Sequence, residues 1–172
     1  FYTKNVTVPY LHSYGHRTQV ASVDHQEETS MKLYSSCKEG IRSCIETQTF
    51  SVAHLYSYEK PMDIHIHDCY EIYYSISGGK QFLIDNRFYT FNPGDIFFIN
   101  QYESHYLSQI DNVKHERIIV SIYPDHLKQC CSGKTDLNYC FTCRNTNFGH
   151  KISLSLEEQK RFLYFIHKLS EN

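Results

Sequence analysis

The chain has no tryptophan, no run of lysine and arginine, and no apolar stretch approaching membrane-spanning length. Each absence excludes something. Lys and Arg number 17 against 19 Asp and Glu, a formal net charge of −2. Without a basic run or basic helix there is no electrostatic footprint for nucleic acid. Any contact with DNA must come from a domain outside these residues. Without a long apolar segment, no membrane partner is expected. The first residue is Phe1, no signal-peptide pattern follows, and the sequence reads as a piece of a longer protein. A disulfide framework is also missing. The seven cysteines, Cys37, Cys44, Cys69, Cys130, Cys131, Cys140 and Cys143, are odd in number and irregular in spacing. Reduced thiols and a cytoplasmic location are expected. Cys130-Cys131 with Cys140-x-x-Cys143 is a weak zinc pattern; buried small side chains are the plainer reading.

What is present fits one soluble domain with small extensions. At 172 residues the chain can bury a sizeable core, and 41% of it is hydrophobic. Tyrosine, at 15 residues, takes the place of tryptophan. Its apolar body and polar tip suit cavities that hold polar ligands.

Residues 65–105 organise the rest. They open with His65-Ile66-His67-Asp68-Cys69-Tyr70-Glu71, pass Gly78-Gly79, Asp85-Asn86 and Pro93-Gly94-Asp95, and close on His105. Between these landmarks the residues are β-branched, aromatic and aliphatic, as strands require. Strand side chains alternate, so His65, His67, Glu71, Tyr73 and Ser75 are predicted to share one face. Ile66, Tyr70, Ile72 and Tyr74 share the other. A titratable row on an otherwise apolar strand points to a partly wet cavity. Turn signals at 78–79, 85–86 and 93–94 divide the stretch into short strands, which predicts a sandwich or barrel.

The spacing His65-x-His67-x3-Glu71-x6-Gly78 resembles the first motif of the cupin barrel, and Pro93-Gly94-Asp95 with His105 resembles the approach to the second. The wording at 65–74, with 119–127 and 148–169, is similar to the sensor domains of AraC-type transcription regulators. The resemblance covers residues 48–169. It implies a mainly β fold: a cupin-like double-stranded β-helix, or jelly-roll, barrel with C-terminal α-helices. It divides the chain into an N-terminal extension at 1–47, a barrel at 48–124 and a helical part at 125–172. Two departures stand out. Glu59 stands where cupins have Gly six residues before His65, and Asn100 and Tyr102 replace the Pro and Gly of the second motif.

In metal-binding cupins the matching positions supply three His and one Glu, here His65, His67, Glu71 and His105. Imidazole and carboxylate suit a divalent transition metal. In sensor domains the same positions line a pocket for an organic ligand. For a sugar or related metabolite the candidates are His65, His67, Glu71, Tyr73, Gln81, His105 and Arg117, which offer planar hydrogen-bonding groups and aromatic faces. Glu71 salt-bridged to Arg87 or Arg117 for structure alone is the bland alternative.

After Pro124 the pattern turns helical. Residues 125–131 and 135–143 read as short helices. Ser155-Leu156-Glu157-Glu158 is a capping-box signature. Phe162, Ile166 and Leu169 form an apolar stripe that Leu163 and Phe165 widen. Helices at this position in AraC-type regulators commonly serve dimerisation, so these residues are candidates for a homodimer contact. The expected function is small-molecule sensing and dimerisation in a transcription regulator, not catalysis. The alternative is a metal-dependent cupin enzyme, a dioxygenase or sugar isomerase.

Overall fold

The structure, a computed structural model, describes residues 32–58, 63–109, 114–144 and 149–171. Residues 1–31 of the expected N-terminal extension lie outside them. Among these residues nine strands form two facing sheets. In chain order they are β1 (Leu33–Tyr34), β2 (Phe50–Tyr58), β3 (Tyr70–Ser75), β4 (Gly79–Ile84), β5 (Arg87–Phe91), β6 (Asp95–Ile99), β7 (His105–Gln109), β8 (Lys114–Ile122) and β9 (Lys151–Ser153). One sheet has the order β1-β2-β8-β3-β6-β9; the other has β5-β4-β7. All pairings but β1 with β2 are antiparallel. This is the expected mainly β, cupin-like barrel. Among the described residues four helices accompany it: α1 (Cys37–Thr47), α2 (Pro124–Gln129), α3 (Tyr139–Thr142) and α4 (Leu156–Glu171).

Period-two alternation decides which side chains meet. Ala53, Leu55, Tyr73, Phe97 and Ile119 of the larger sheet pack against Phe82, Ile84, Phe91 and Leu107 of the facing strands. The rings interlock: Tyr73 and Phe82 are tilted with centroids 4.9 Å apart, and Phe82 and Phe97 meet edge to face at 5.0 Å. The barrel interior is therefore filled with aromatic side chains. The outer face of the larger sheet is apolar too. Tyr74, Ile96, Ile118 and Val120 are covered by Phe162 and Ile166 of α4. Tyr70 is covered by Leu127 of α2 and Phe141 of α3, with the Tyr70 and Phe141 rings stacked at 4.4 Å. Two covered faces explain why 96–99 reads as an unbroken apolar run.

The turns sit where the punctuation places them. Asp85, at φ 52°, starts the β4–β5 turn, and Gly94 takes φ 87° before β6. Gly94 is also a docking point. Its carbonyl accepts from Leu154 N at 3.1 Å, and a Cβ there would strike the side chain of Gln159 in α4. The capping box forms: Ser155 N donates to Glu158 Oε2 at 2.8 Å, and Glu158 N to Ser155 Oγ at 3.4 Å.

Two elements differ from the reading of the sequence. The segment 65–69 does not continue β3. His65 instead makes an isolated antiparallel bridge with His105. And residues 37–47, which show no clear stripe, form α1. Its packed side carries small residues: Gly40 and Cys44 are buried, and Ser51 Oγ donates to Gly40 O at 2.7 Å. The helix closes down on the inner face of β2, at the end of the barrel where the histidines lie.

Candidate functional site

Four side chains converge at that end. Glu71 faces inward from β3, across from Ile99 and Ser121, and is 2% exposed. His105 opens β7 and is fully buried. The His65–His105 bridge, with N–H···O distances of 3.3 and 3.1 Å, holds the segment before β3 against β7 and brings the two rings to 4.1 Å. His67 is fixed by its carbonyl, which accepts from Tyr102 N at 3.1 Å. The candidate ligand atoms of His65, His67, Glu71 and His105 all lie within 4.8 Å of one another. Among the described residues no other such group forms, so the cysteine pairs at 130–131 and 140–143 do not assemble a zinc site.

The outer nitrogen of each ring is occupied by backbone. Nδ1 of His65 donates to Asp63 O at 3.2 Å, that of His67 to Cys69 O at 2.9 Å, and that of His105 to Glu103 O at 2.9 Å. That pattern leaves Nε2 as the candidate coordinating atom on every ring and fixes ring orientation, as backbone partners do around metal-ligating histidines. Nε2 of His67 is 3.1 Å from Glu71 Oε2. Nε2 of His105 is 3.7 Å from the same oxygen, a charge contact rather than a hydrogen bond, and it has no hydrogen-bond partner. A buried, orphaned imidazole nitrogen beside a buried carboxylate is what a cation-binding donor set presents.

The electrostatics agree. Burial alone would push the Glu71 carboxyl up, but the charge of His105 and the charge and hydrogen bond of His67 outweigh it and hold the group well below the usual carboxylate range. Burial would lower His67, yet its bonds to Cys69 and Glu71 raise it to about 10. His105 is raised as well, because Glu71 overcomes its burial. His65 moves down, through burial and then the neighbouring His105. Without a bound cation, the cluster is an ionised Glu71 beside a protonated His67.

A cavity of about 480 Å³ opens beside this cluster. Its walls are Cys37, Lys38 and Ile41 of α1, and Asp63 and Ile66 of the segment before β3; His65 and His67 form its inner rim. The volume is in the range of small-molecule sites. Sequence comparison gives the family: residues 52–164 match the AraC-like ligand binding domain. The chain belongs to that family. It is 25% identical over 95 residues to a Bacillus subtilis protein named as the uncharacterized HTH-type transcriptional regulator YbfI, covering 55% of this chain and 34% of that protein. The chain thus spans about a third of the regulator's length. Similar solved structures include a predicted oxalate decarboxylase from Thermotoga maritima, at 23% identity and TM-score 0.41, covering 48% of this chain and 73% of that one. A Cupin 2 conserved barrel domain protein from Salinispora arenicola has 16% identity and TM-score 0.41, covering 47% and 69%.

In this AraC-like domain the expected ligand residues separate into two groups. His65, His67, Glu71 and His105 come together. Tyr73, Gln81 and Arg117 do not join the cavity walls. Tyr73 is 1% exposed within the aromatic core, and its hydroxyl donates to His115 Nε2 at 2.6 Å while His115 Nδ1 donates to Gly78 O at 3.0 Å. Gln81 lies on β4 opposite Gln109, in the smaller sheet. Arg117 is buried on β8 opposite Ser75 and Leu55, and its charge reaches Cys37. Arg87 is exposed, so the bland pairing of Glu71 with that arginine does not occur; the histidines take its place. Reading the sequence missed Cys37, Lys38 and Ile41. Cys37, Gly40, Ile41 and Cys44 do fall at helical spacing, but with Gly and Cys among them the pattern has too little apolar contrast to read as a stripe.

On α4, Phe162 and Ile166 lie against the barrel, whereas Leu163, Phe165 and Leu169 are exposed. Among the described residues no helix is long and apolar enough to cross a membrane.

Proposed function

We propose that this domain binds a small-molecule effector in the cavity between α1 and the histidine rim, as the sensing part of a cytoplasmic transcription regulator that is not itself an enzyme. The observation that carries the reading is the cavity itself, which opens on His65 and His67 in a chain of the AraC-like ligand binding family. The name of the Bacillus relative supports a helix-turn-helix domain elsewhere in the longer protein. Two copies would associate through α4, and effector binding would bias how they are held. Calorimetry of the chain against a panel of monosaccharides, disaccharides and small organic acids tests this. Binding at one site per chain that is lost when the cavity is filled by Cys37→Phe is the expected result. No binder in the panel would remove the reading.

His65, His67, Glu71 and His105 would hold a divalent transition metal. The orphaned Nε2 of His105 and the backbone-anchored rings favour that use of the set. When bound, such an ion supplies a Lewis-acidic anchor for an oxygen of the effector. The protein's own part is to fix four donors, keep Glu71 ionised and exclude water behind them with the aromatic core. The same donor set motivates a second reading, a metal-dependent cupin enzyme. Elemental analysis together with product analysis separates the two: a sensor returns its ligand unchanged.

A further inference from the structure

Two thiols meet between the elements that wall the cavity. Cys44 lies on the packed side of α1, and Cys69 immediately precedes β3, two residues after His67. Both are free and fully buried.

Strand register brings them together. Phe50 and Tyr70 both pair with Ile122, so Thr49 and Cys69 come out at the same end of the sheet, on either side of Tyr123. Thr49 O accepts from Tyr123 N at 2.7 Å, and the Cys44 thiol donates to the same carbonyl at 3.5 Å. With that hydrogen committed, Cys44 Sγ is an acceptor for the thiol of Cys69, and the two side chains are hydrogen-bonded. Cys69 Sγ also lies 3.4 Å from Nδ1 of His67. The close seat of α1 on Ser51 and Ala53 needs small side chains. It does not need two sulfurs in contact, since alanine is as small. In a reducing compartment a thiol pair of this kind serves redox sensing rather than permanent cross-linking.

We propose that Cys44 and Cys69 are a redox-sensitive pair, closed by hydrogen peroxide into a reversible disulfide that ties α1 to the segment carrying His65 and His67. Each thiol gives up its hydrogen, the sulfurs join, and the two electrons reduce one peroxide to two waters. The bond links one wall of the cavity, with Lys38 and Ile41, to the other, with Ile66 and the histidine rim. Its consequence for effector exchange rests on the effector-binding reading above; the disulfide itself does not. His67 Nδ1 keeps its bond to Cys69 O when the sulfur turns away, so the donor set stays in place. Because both sulfurs are fully buried, peroxide reaches them when α1 lifts, and the lock closes as the helix reseats.

The test treats the 172-residue chain with hydrogen peroxide, alkylates the remaining thiols, and cuts with a protease that cleaves after Glu46 and Glu59. A peptide holding Cys44 should be joined to one holding Cys69, and dithiothreitol should part them. Hydrogen exchange over residues 37–47 should slow by roughly threefold or more. The melting temperature should rise by about 5 °C. Cys44→Ala and Cys69→Ala should each lose the link and the slowing. If either variant fails to fold, the parent's peptide map and exchange decide alone. Exposed Cys130 reports that the oxidant has acted. Oxidised Cys130 with Cys44 and Cys69 still free would overturn the proposal. So would Cys69 joined to Cys37 instead, or a Cys44–Cys69 link that leaves exchange in α1 unchanged. A link that forms and slows α1 in a chain that binds no effector would support the pair and remove only the effector reading.

Discussion

Glu103 joins His150 to the candidate site. Its carboxylate accepts from His150 Nε2 at 3.0 Å, while its own backbone carbonyl accepts from His105 Nδ1 at 2.9 Å. The remaining carboxylate oxygen accepts from Asn100 N at 2.7 Å and lies 3.6 Å from Arg144. Tyr89 completes the set, its hydroxyl donating to His150 Nδ1 at 2.8 Å. His150 immediately precedes β9, which pairs with β6 and leads into α4. One residue therefore anchors both a candidate ligand and the segment that carries the last helix.

Replacing Glu103 by Gln should loosen that anchor. The buried His150 would lose a charged acceptor, at a cost on the order of 1–3 kcal/mol. The pH dependence follows from the carboxyl itself. Burial works to raise Glu103, but the His150 bond, the Asn100 amide and Arg144 prevail and hold it below its usual value. A depressed carboxyl contributes stability that is full above the unfolded value, about 4.3, and is lost as pH falls through the folded one. Denaturation between pH 3 and 7 should therefore show an acid limb that is shallower in Glu103→Gln. Hydrogen exchange should rise most over residues 149–154.

Metal uptake should release protons. His67 is held at about 10 by Cys69 and Glu71 against its burial, so at neutral pH the metal-free ring is protonated and must lose that proton to coordinate. Affinity for Zn2+ or Mn2+ should rise about tenfold per pH unit below that value for one proton released, and more steeply where His105, also raised, adds a second. Calorimetry in buffers of different ionisation enthalpy measures the proton count. His67→Ala should abolish stoichiometric uptake. Binding that is independent of pH between 6 and 8 would contradict the protonated His67.

Tyr73 separates a ligand residue from a core residue. Its hydroxyl is 2.6 Å from His115, deep in the barrel. Tyr73→Phe should destabilise the fold by roughly 1–3 kcal/mol and leave effector affinity within twofold. Loss of binding without loss of stability would place Tyr73 in the site after all. Urea denaturation and calorimetry on the same preparation give both readings.

Why some of this was legible in the sequence and some was not has a physical basis. The turns at Asp85 and Gly94 declare themselves through residues that tolerate positive φ, and the capping box through Ser155 and Glu158. His65, His67 and Glu71 are close in sequence, so their convergence is a local matter of spacing. His105 joins them through a strand pairing that spacing alone does not reveal. Tyr73 shares a strand face with Glu71 and was expected beside it. Face alternation fixes direction but not depth, and two residues further along β3 the barrel is already full. The α1 helix was missed because its packed side is built from Gly40 and Cys44, which give little apolar contrast. Packing against Ser51 and Ala53, which needs small side chains, decides the matter.

The stripe on α4 divides between two duties, and that division is the basis for expecting self-association. Phe162 and Ile166 occupy the middle and lie on the barrel, with the Phe162 ring 4.7 Å from that of Tyr74. Phe165 and Leu169 flank them on one side and Leu163 on the other, and these stay exposed. Phe165 also borders an apolar groove of about 270 Å³ with Ile96, Phe98, Ile152 and Leu154, beside edge strand β9. An apolar helix flank continuous with an edge strand is the kind of surface a second copy covers in an isologous contact. Phe162→Ala should destabilise the monomer by roughly 2–4 kcal/mol, since it opens a space under the helix. Phe165→Glu with Leu169→Glu should cost the monomer little, because both side chains already meet solvent. If two copies pair through this flank, sedimentation equilibrium should give a dimer for the parent and a monomer for the double variant at equal stability. A parent that stays monomeric up to millimolar concentration, or a double variant that pairs as well, would assign α4 to its own barrel alone.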